Sequence, residues 1–107
     1  MWKNIKMDNL SGIDKCVGEF DIWLVGILPC AKMKVKIFEG VDGKFTGYTG
    51  VKLKRIFDGD FESAVGYGNT IETALEDTIR YFLEMVSEDY PNGLNQEHIE
   101  YCDFSDF

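Results

Sequence analysis

The first two thirds of the chain carry the alternation of apolar and polar residues, with a period of two, that is typical of β-strands. The alternation is clearest at residues 32–39, where apolar residues are separated by lysines. Asp-Gly pairs at 42–43 and 58–59 predict tight turns, because glycine adopts positive φ without strain. A bend or bulge is expected near Gly47 and Gly50. Together these signals predict an antiparallel meander of four strands, at residues 20–28, 32–39, 44–57 and 60–65.

The period lengthens to that of an α-helix after the fourth predicted strand. We expect Gly66 and Gly68 to end the sheet and Asn69 or Thr70 to cap the helix, which stops before Pro91. The core-facing stripe of this helix consists of Ile71, Leu75, Thr78, Ile79, Phe82 and Val86. The prediction is an α+β fold, a four-stranded antiparallel meander sheet covered on one face by one long C-terminal helix (ββββα).

The chain length of 107 residues suits a single domain, and 45% hydrophobic residues are enough to build a core. We assign an N-terminal arm or short strand to residues 1–18, the ββββα domain to residues 19–90 and an acidic, aromatic C-terminal tail to residues 91–107. Two arrangements of the tail remain open. It is either a free segment, or a short strand or helix that packs Ile99, Tyr101 and Phe104 on the core.

Several function classes are disfavoured by patterns that the sequence lacks. The three cysteines lie far apart and form no CxxC pair, which fits a reducing cytosol, and a lone His98 argues against a zinc site. No Ser-His-Asp, P-loop or HExxH pattern occurs, so we expect neither an enzyme nor a cofactor. The longest apolar run, residues 22–28, is far too short to span a membrane, and we expect no signal peptide. The sequence therefore predicts a non-enzymatic cytoplasmic protein.

The net charge of −8 is divided unevenly between the two halves of the chain. Residues 1–55 contain ten Lys and Arg against six Asp and Glu, a balance of +4. Residues 56–107 contain one arginine against thirteen acids, a balance of −12. Such asymmetry suggests a polyanionic partner for the basic half, an interaction role for the acidic half, or both. The simpler alternative is a lysine-rich sheet that meets a glutamate-rich helix across solvent.

The basic charge of the first half falls on one face of the predicted sheet. If apolar residues such as Val35 and Val51 point at the helix, the lysines between them point away from it. Alternate lysines on a strand lie roughly 6.7 Å apart, a spacing that the phosphates of an extended single strand can follow. Interleaved aromatic rings would stack on bases. The residues predicted to bind nucleic acid are Trp23, Lys32, Lys34, Lys36, Phe38, Phe45, Tyr48, Lys52, Lys54 and Arg55. The alternative is a face covered by a partner subunit or by the N-terminal arm.

The end of the chain carries a second candidate site. Asp103 and Asp106 precede a terminal Phe107, and this pattern resembles the C-termini of bacterial and phage single-stranded-DNA-binding proteins. It departs from the bacterial pattern because no proline precedes the Phe and few acids are consecutive. The resemblance implies that the tail recruits replication or recombination proteins, or that it occupies the basic face until nucleic acid displaces it. The predicted partner-binding residues are Asp103, Phe104, Asp106 and Phe107.

Two further resemblances concern the domain itself. The ββββα order with a basic sheet, over roughly residues 19–88, resembles the fold of the transcriptional-coactivator and Whirly-type single-stranded-DNA binders. That resemblance implies a homodimer that pairs through its helices and lays DNA across its sheets. Residues 66–75, GYGNTIETAL, are similar to the G-x-G-x-T-x-E-x-A-L entry into the helix of HicB-type antitoxins, which implies an RNase-like fold that blocks a small toxin. The strands here are longer and more basic than in that family, and no DNA-binding segment follows the helix.

Two functional hypotheses from different classes follow. The first is a homodimeric single-stranded nucleic-acid-binding protein of phage or mobile-element replication or recombination, which acts on DNA or RNA in the cytoplasm of a bacterial host. The alternative is an acidic inhibitor, a nucleic-acid mimic or antitoxin-like protein, whose helix docks on a basic protein. The glutamates that would dock are Glu72, Glu76, Glu84 and Glu88. A pure mimic does not need lysines on one face, which favours the first hypothesis.

Overall fold

The structure is a computed structural model that describes residues 1–102 and residue 107. Four strands follow one another as an antiparallel meander in chain order, and a long helix then packs on one face of the sheet. This arrangement confirms the predicted α+β fold of ββββα topology. The elements are β1 (Lys15–Trp23), β2 (Lys32–Glu39), β3 (Phe45–Lys54), β4 (Phe61–Gly68) and α1 (Ile71–Asp89).

The first strand lies earlier in the chain than the pattern predicted. The prediction placed it at residues 20–28, whereas β1 ends at Trp23. After Trp23 the chain turns, because the amide of Leu28 donates to the carbonyl of Leu24 over 3.0 Å and Gly26 adopts a φ of +86°. A backbone that bonds to itself in a turn cannot continue a β-ladder, so the apolar residues 24–28 leave the sheet. Strand β1 instead includes part of the predicted N-terminal arm.

The strand that the pattern predicted most clearly, β2, has the predicted bounds, and both Asp-Gly turns form. Gly43 and Gly59 have φ angles of +78° and +73°. In each turn the preceding aspartate, Asp42 or Asp58, accepts a hydrogen bond from the backbone amide two residues further along. The turn chemistry read from the sequence therefore fixes both hairpins.

The core lies between α1 and the sheet face that it covers. Val35 and Ile37 of β2 and Val51 and Leu53 of β3 have no exposed surface, as expected for the apolar half of an alternating strand. The helix contributes its most buried residues from positions three and four apart, which are Ala74, Thr78, Phe82 and Met85. Thr78 and Phe82 were in the predicted stripe, while Leu75 and Val86 lie at its half-buried flank.

Glycines in β4 let the helix lie directly on the strand backbone. The fourth strand was predicted to end before Gly66, which is wrong, because β4 continues through Gly66 and ends at Gly68. A β-carbon on Gly66 would lie 2.3 Å from the amide nitrogen of Thr78, and one on Gly68 would lie 2.5 Å from the amide nitrogen of Ala74. Since no side chain fits in that space, glycine is required here for close helix–sheet contact and not for a turn.

The predicted cap begins the helix. Thr70 accepts a hydrogen bond from the Thr73 amide over 3.0 Å, and the Thr73 hydroxyl in turn accepts from the Thr70 amide over 3.1 Å. Two otherwise unpaired amides are thereby satisfied, and Glu72 adds a negative charge to the positive first turn. Neither α1 nor any other helix in the described residues is long and apolar enough to cross a membrane.

The C-terminal end of α1 is fastened to the β3–β4 hairpin by Arg55. Its guanidinium lies 2.7 Å from Asp89, 3.2 Å from Glu62 and 3.8 Å from Glu88, and its side chain is only 12% exposed. The hydrogen bond to Asp89 raises the pKa of Arg55, and the same bond is the main reason that the pKa of Asp89 is lowered. Close by, the Tyr90 hydroxyl donates to the carbonyl of Lys54. The positive charge of Arg55 is therefore largely neutralised by carboxylates of the same domain.

Part of the predicted tail belongs to the sheet. A 3₁₀ turn at Gln96–His98 leads into a short strand, β5 (Ile99–Tyr101), which pairs antiparallel with β3 and places Ile99 opposite Leu53. Ile99 is buried, so the packed arrangement, rather than the free segment, is observed for this stretch. The folded unit extends to about residue 102 and not only to residue 90.

Candidate nucleic-acid interface

The face of the sheet opposite α1, called the open face below, has no helix over it in the described residues. The period-two alternation sends the lysines of β2 and β3 to this face, because the apolar residues between them are buried under the helix. In the sheet register Lys36 lies opposite Tyr48, and Lys54 lies opposite Phe61. The predicted site residues that share this face include Lys32, Lys34, Lys36, Lys52 and Lys54.

Aromatic side chains lie between these lysines. Trp23 is 65% exposed, and the Lys32 ammonium lies 5.2 Å from the centre of its ring. Phe38 and Tyr48 form an edge-to-face pair with ring centres 5.7 Å apart. Tyr67 of β4 is 66% exposed. An exposed group of aromatic rings of this kind usually marks an interface.

Two predicted site residues are not on the open face. Phe45 begins β3 on the covered side and packs against the core. Arg55 follows β3 and turns toward the end of α1, where it forms the ion pairs described above. Phe45 is the first residue of β3, where the alternation of the strand points it toward the helix. Arg55 follows the last residue of β3 and pairs with Asp89 at the end of α1. The structure therefore groups eight of the ten predicted nucleic-acid-binding residues.

Carboxylates from β1 share the open face with the lysines, which the sequence reasoning missed. Asp21 lies opposite Lys34 in the register, with 3.1 Å between its Oδ1 and the Lys34 Nζ, and Glu19 lies 3.9 Å from the same ammonium. The hydrogen bond between Lys34 and Asp21 raises the pKa of Lys34 and lowers that of Asp21. Glu100 of β5 lies opposite Lys52. Lys34 is therefore the most neutralised of the lysines, while Lys32, Lys36, Lys52 and Lys54 form no ion pair with any described residue.

A bulge in β3 shapes the middle of the open face. The register of β3 against β4 shifts between Tyr48 and Lys52, a stretch that includes the predicted bulge position Gly50. The bulge would leave an amide of β4 unpaired, but the hydroxyl of Thr49 accepts a hydrogen bond from Ala64 over 3.0 Å. Because the extra residues are accommodated in this way, Lys52 returns to the open face after the bulge.

The terminal residue Phe107 lies on the open face, beside this bulge. The Lys36 ammonium is 4.6 Å from the centre of the Phe107 ring, and the ring occupies the space that a β-carbon on Gly50 would enter. Clefts of about 340 Å³ and about 310 Å³ lie on the two sides of it, and Phe107 lines both. The other predicted partner-binding residues, Asp103, Phe104 and Asp106, lie outside the described residues.

The described residues of this face include no cluster of metal-binding side chains. The His, Cys, Asp and Glu side chains of residues 1–102 form no group of three or more that could hold a metal ion. At one edge the Tyr101 hydroxyl donates to the Sγ of Cys30, and burial, followed by the effect of Cys30, raises the pKa of Tyr101 to about 12. Tyr101 therefore stays protonated and uncharged at neutral pH. Among the described residues, the features that could recognise a ligand here are the lysines, the aromatic rings and the clefts.

No family model matches the chain, and neither the curated proteins nor the solved structures include a match to it. We therefore infer a function from the geometry and charge of the open face.

Proposed function

We propose that the protein binds single-stranded nucleic acid across the open face and catalyses no reaction. The observation that carries this proposal is that lysines without an ion pair to any described residue share one sheet face with exposed aromatic rings. Four of the lysines, Lys32, Lys36, Lys52 and Lys54, are free of ion pairs with the described residues. Trp23, Phe38 and Tyr48 lie among them. Ammonium groups that follow phosphates, with rings that stack on bases, bind a single strand without reading its sequence.

The acidic residues on the same face limit how strongly it attracts a polyanion. Glu19 and Asp21 hold Lys34, so this lysine contributes less than its four neighbours. The protein is also acidic as a whole, which weakens its long-range attraction for nucleic acid. We therefore expect moderate affinity that falls steeply as salt is added, with log K decreasing by about 0.7 per phosphate contact for each log unit of salt.

The C-terminal residues have a supporting role in this proposal. The tail would either recruit a replication or recombination protein of a phage or mobile element, or compete with nucleic acid for the open face. The contact of Phe107 with Lys36 supports competition, because it occupies a lysine of the proposed binding surface. A homodimer also remains a prediction. Phe20, Ile22, Leu75 and Val86 are only half-buried on the helix side of the sheet, and a second copy would cover them.

The direct test is fluorescence anisotropy with a labelled oligo-dT of about thirty nucleotides, since aromatic stacking and phosphate contacts make the proposed binding independent of sequence. The full chain is compared with a chain that ends at Cys102, which keeps β5 and its buried Ile99. We expect binding that weakens with salt and that is tighter for the shortened chain. Absence of binding by both chains at low salt would refute the proposal.

A second candidate function is suggested by the outer side of α1. Glu72, Glu76, Glu84 and Glu88 are all exposed there, and the nearby Arg80 is paired with Asp77 over 3.4 Å. This acidic ridge could dock on a basic protein, as an inhibitor or antitoxin-like protein would. Charge reversal at Glu76 and Glu84 would then abolish that interaction and leave oligo-dT binding unaffected. The lysines of the open face have no role in this alternative, which is why we place it second.

A further inference from the structure

The ring of Phe107 lies at a place on the sheet where residue 50 has no side chain. A β-carbon on Gly50 would lie 2.9 Å from Cε2 of Phe107, 3.2 Å from its Cζ and 3.2 Å from the backbone carbonyl oxygen of Lys34. These distances are shorter than ordinary contact between carbon atoms. The ring therefore lies against bare backbone in the bulge of β3, which a side chain of any other residue would fill. We call this place the Gly50 seat.

A cation stands beside the seat and an aromatic pair borders it. The Lys36 ammonium lies 4.6 Å from the centre of the Phe107 ring, within the range of a cation–π contact. Tyr48 is opposite Lys36 in the sheet register and forms the edge-to-face pair with Phe38. The seat thus combines a flat apolar floor with a positive charge, and these two features favour a planar ring that belongs to an anionic molecule.

The open face continues as a groove on both sides of the seat. One cleft, of about 340 Å³, is lined by residues that include Phe38, Tyr48 and Lys52. The other, of about 310 Å³, is lined by residues that include Lys32, Lys34 and Lys36. Both clefts reach Phe107, so a ligand with a ring in the seat has room in two directions. Lys52 lines the first cleft together with Asp14, and the lysines of β2 line the second together with Glu19. A single strand of nucleic acid fits this arrangement, because its chain continues in both directions from each base and carries one negative charge per nucleotide.

We propose that the Gly50 seat binds one unpaired base of a single-stranded nucleic acid, and that Phe107 fills this subsite in the free protein. This inference rests on the proposed function and gives it a location. The base takes the place of the Phe107 ring, beside the Lys36 ammonium, and the flanking phosphates extend toward Lys52 on one side and Lys32 on the other. Every base has a π-face of suitable shape, so the subsite selects a base without selecting its identity.

The test separates base binding from phosphate binding with two labelled probes of equal length. One probe is oligo-dT, and the other is a phosphodiester chain of abasic deoxyribose units, which keeps the charge and lacks the bases. Full-length protein is compared with Phe107→Ala, Gly50→Ala and the matched control Gly12→Ala, whose β-carbon would meet no atom within 4 Å. Thermal melting of each variant reports on folding.

We expect Phe107→Ala to bind oligo-dT more tightly than the unmodified chain, while binding of the abasic probe stays unchanged. Gly50→Ala should weaken oligo-dT binding by about fivefold to a hundredfold, the range for loss of one stacked base, and again leave the abasic probe unaffected. Unaltered preference for oligo-dT over the abasic probe in both variants would overturn the seat and leave the proposed function standing. Failure of every protein to bind either probe at low salt would instead overturn the proposed function itself.

Discussion

Replacing Lys32 and Lys52 with glutamine together should weaken oligo-dT binding by about 25-fold at 0.1 M salt. Each phosphate contact with single-stranded DNA contributes about 0.7 to the slope of log K against log salt, so one contact is worth roughly fivefold at 0.1 M relative to 1 M. Neither lysine is paired with a described carboxylate, and the two line different clefts. Their losses should therefore be independent, and the slope should fall by about 1.4.

The matched control for this change is the pair Lys6→Gln and Lys15→Gln. It removes the same charge from exposed positions in the N-terminal arm and at the start of β1, away from the open-face lysines. We also expect Lys34→Gln to have a smaller effect than Lys32→Gln, because Asp21 and Glu19 already hold the Lys34 ammonium. If the control pair weakens binding as much as Lys32 and Lys52 do, the attraction is a general charge effect and the open face is not the binding surface.

Gly66→Ala should destabilise the protein by about 3 kcal/mol or more, which is large for the addition of one methyl group. The added β-carbon would meet the amide nitrogen of Thr78 at 2.3 Å, its hydroxyl at 2.4 Å and its Cα at 2.6 Å. Two of these three atoms are backbone, so relief requires α1 to move away from β4 and to open the core beneath Phe82. The melting temperature should fall by roughly 12 °C or more, since about 1 kcal/mol corresponds to at least 4 °C in a domain of this size.

Gly12→Ala is again the control, because it makes the same substitution where no atom lies within 4 Å. We expect its melting temperature to stay within about 4 °C of that of the unmodified chain, as is usual for surface changes of about 0.5 kcal/mol or less. Equal melting temperatures for Gly66→Ala and Gly12→Ala would mean that α1 does not pack on β4 as closely as the structure places it.

The local sequence pattern predicted most of the fold, because the signals for each strand, turn and helix start lie within a few neighbouring residues. The alternation at residues 32–39, the Asp-Gly turns and the Thr70 cap are all properties of adjacent residues, and all three were found as expected. The first strand was misplaced because its apolar run continues into the turn after Trp23. The pattern of residues 24–28 does not distinguish a strand from a loop that packs Leu28 on the core.

The sequence predicted which residues of one strand share a face of the sheet. It did not predict which residues of different strands meet on that face. Alternation placed the lysines on one face, and it also places Asp21 on the same side of β1 as Trp23. The pairing of Asp21 with Lys34 depends on the register between two strands, which no sequence spacing gives. The same holds for Phe107 and Gly50, which lie 57 positions apart and meet only in the folded chain. For the same reason Arg55 was predicted to bind nucleic acid, whereas in the structure it pairs with Asp89 at the C-terminal end of α1.

The most direct test of the central claim is to map the surface that contacts a single strand by ¹H–¹⁵N correlation spectroscopy during titration with oligo-dT. The two tryptophan indoles give an internal comparison, because Trp23 lies on the open face and Trp2 lies in the N-terminal arm. We predict shifts in the Trp23 indole and in the amides of β2 and β3 around Gly50, with little change in Trp2 or α1. Shifts confined to α1, or no shifts at low salt, would contradict the account.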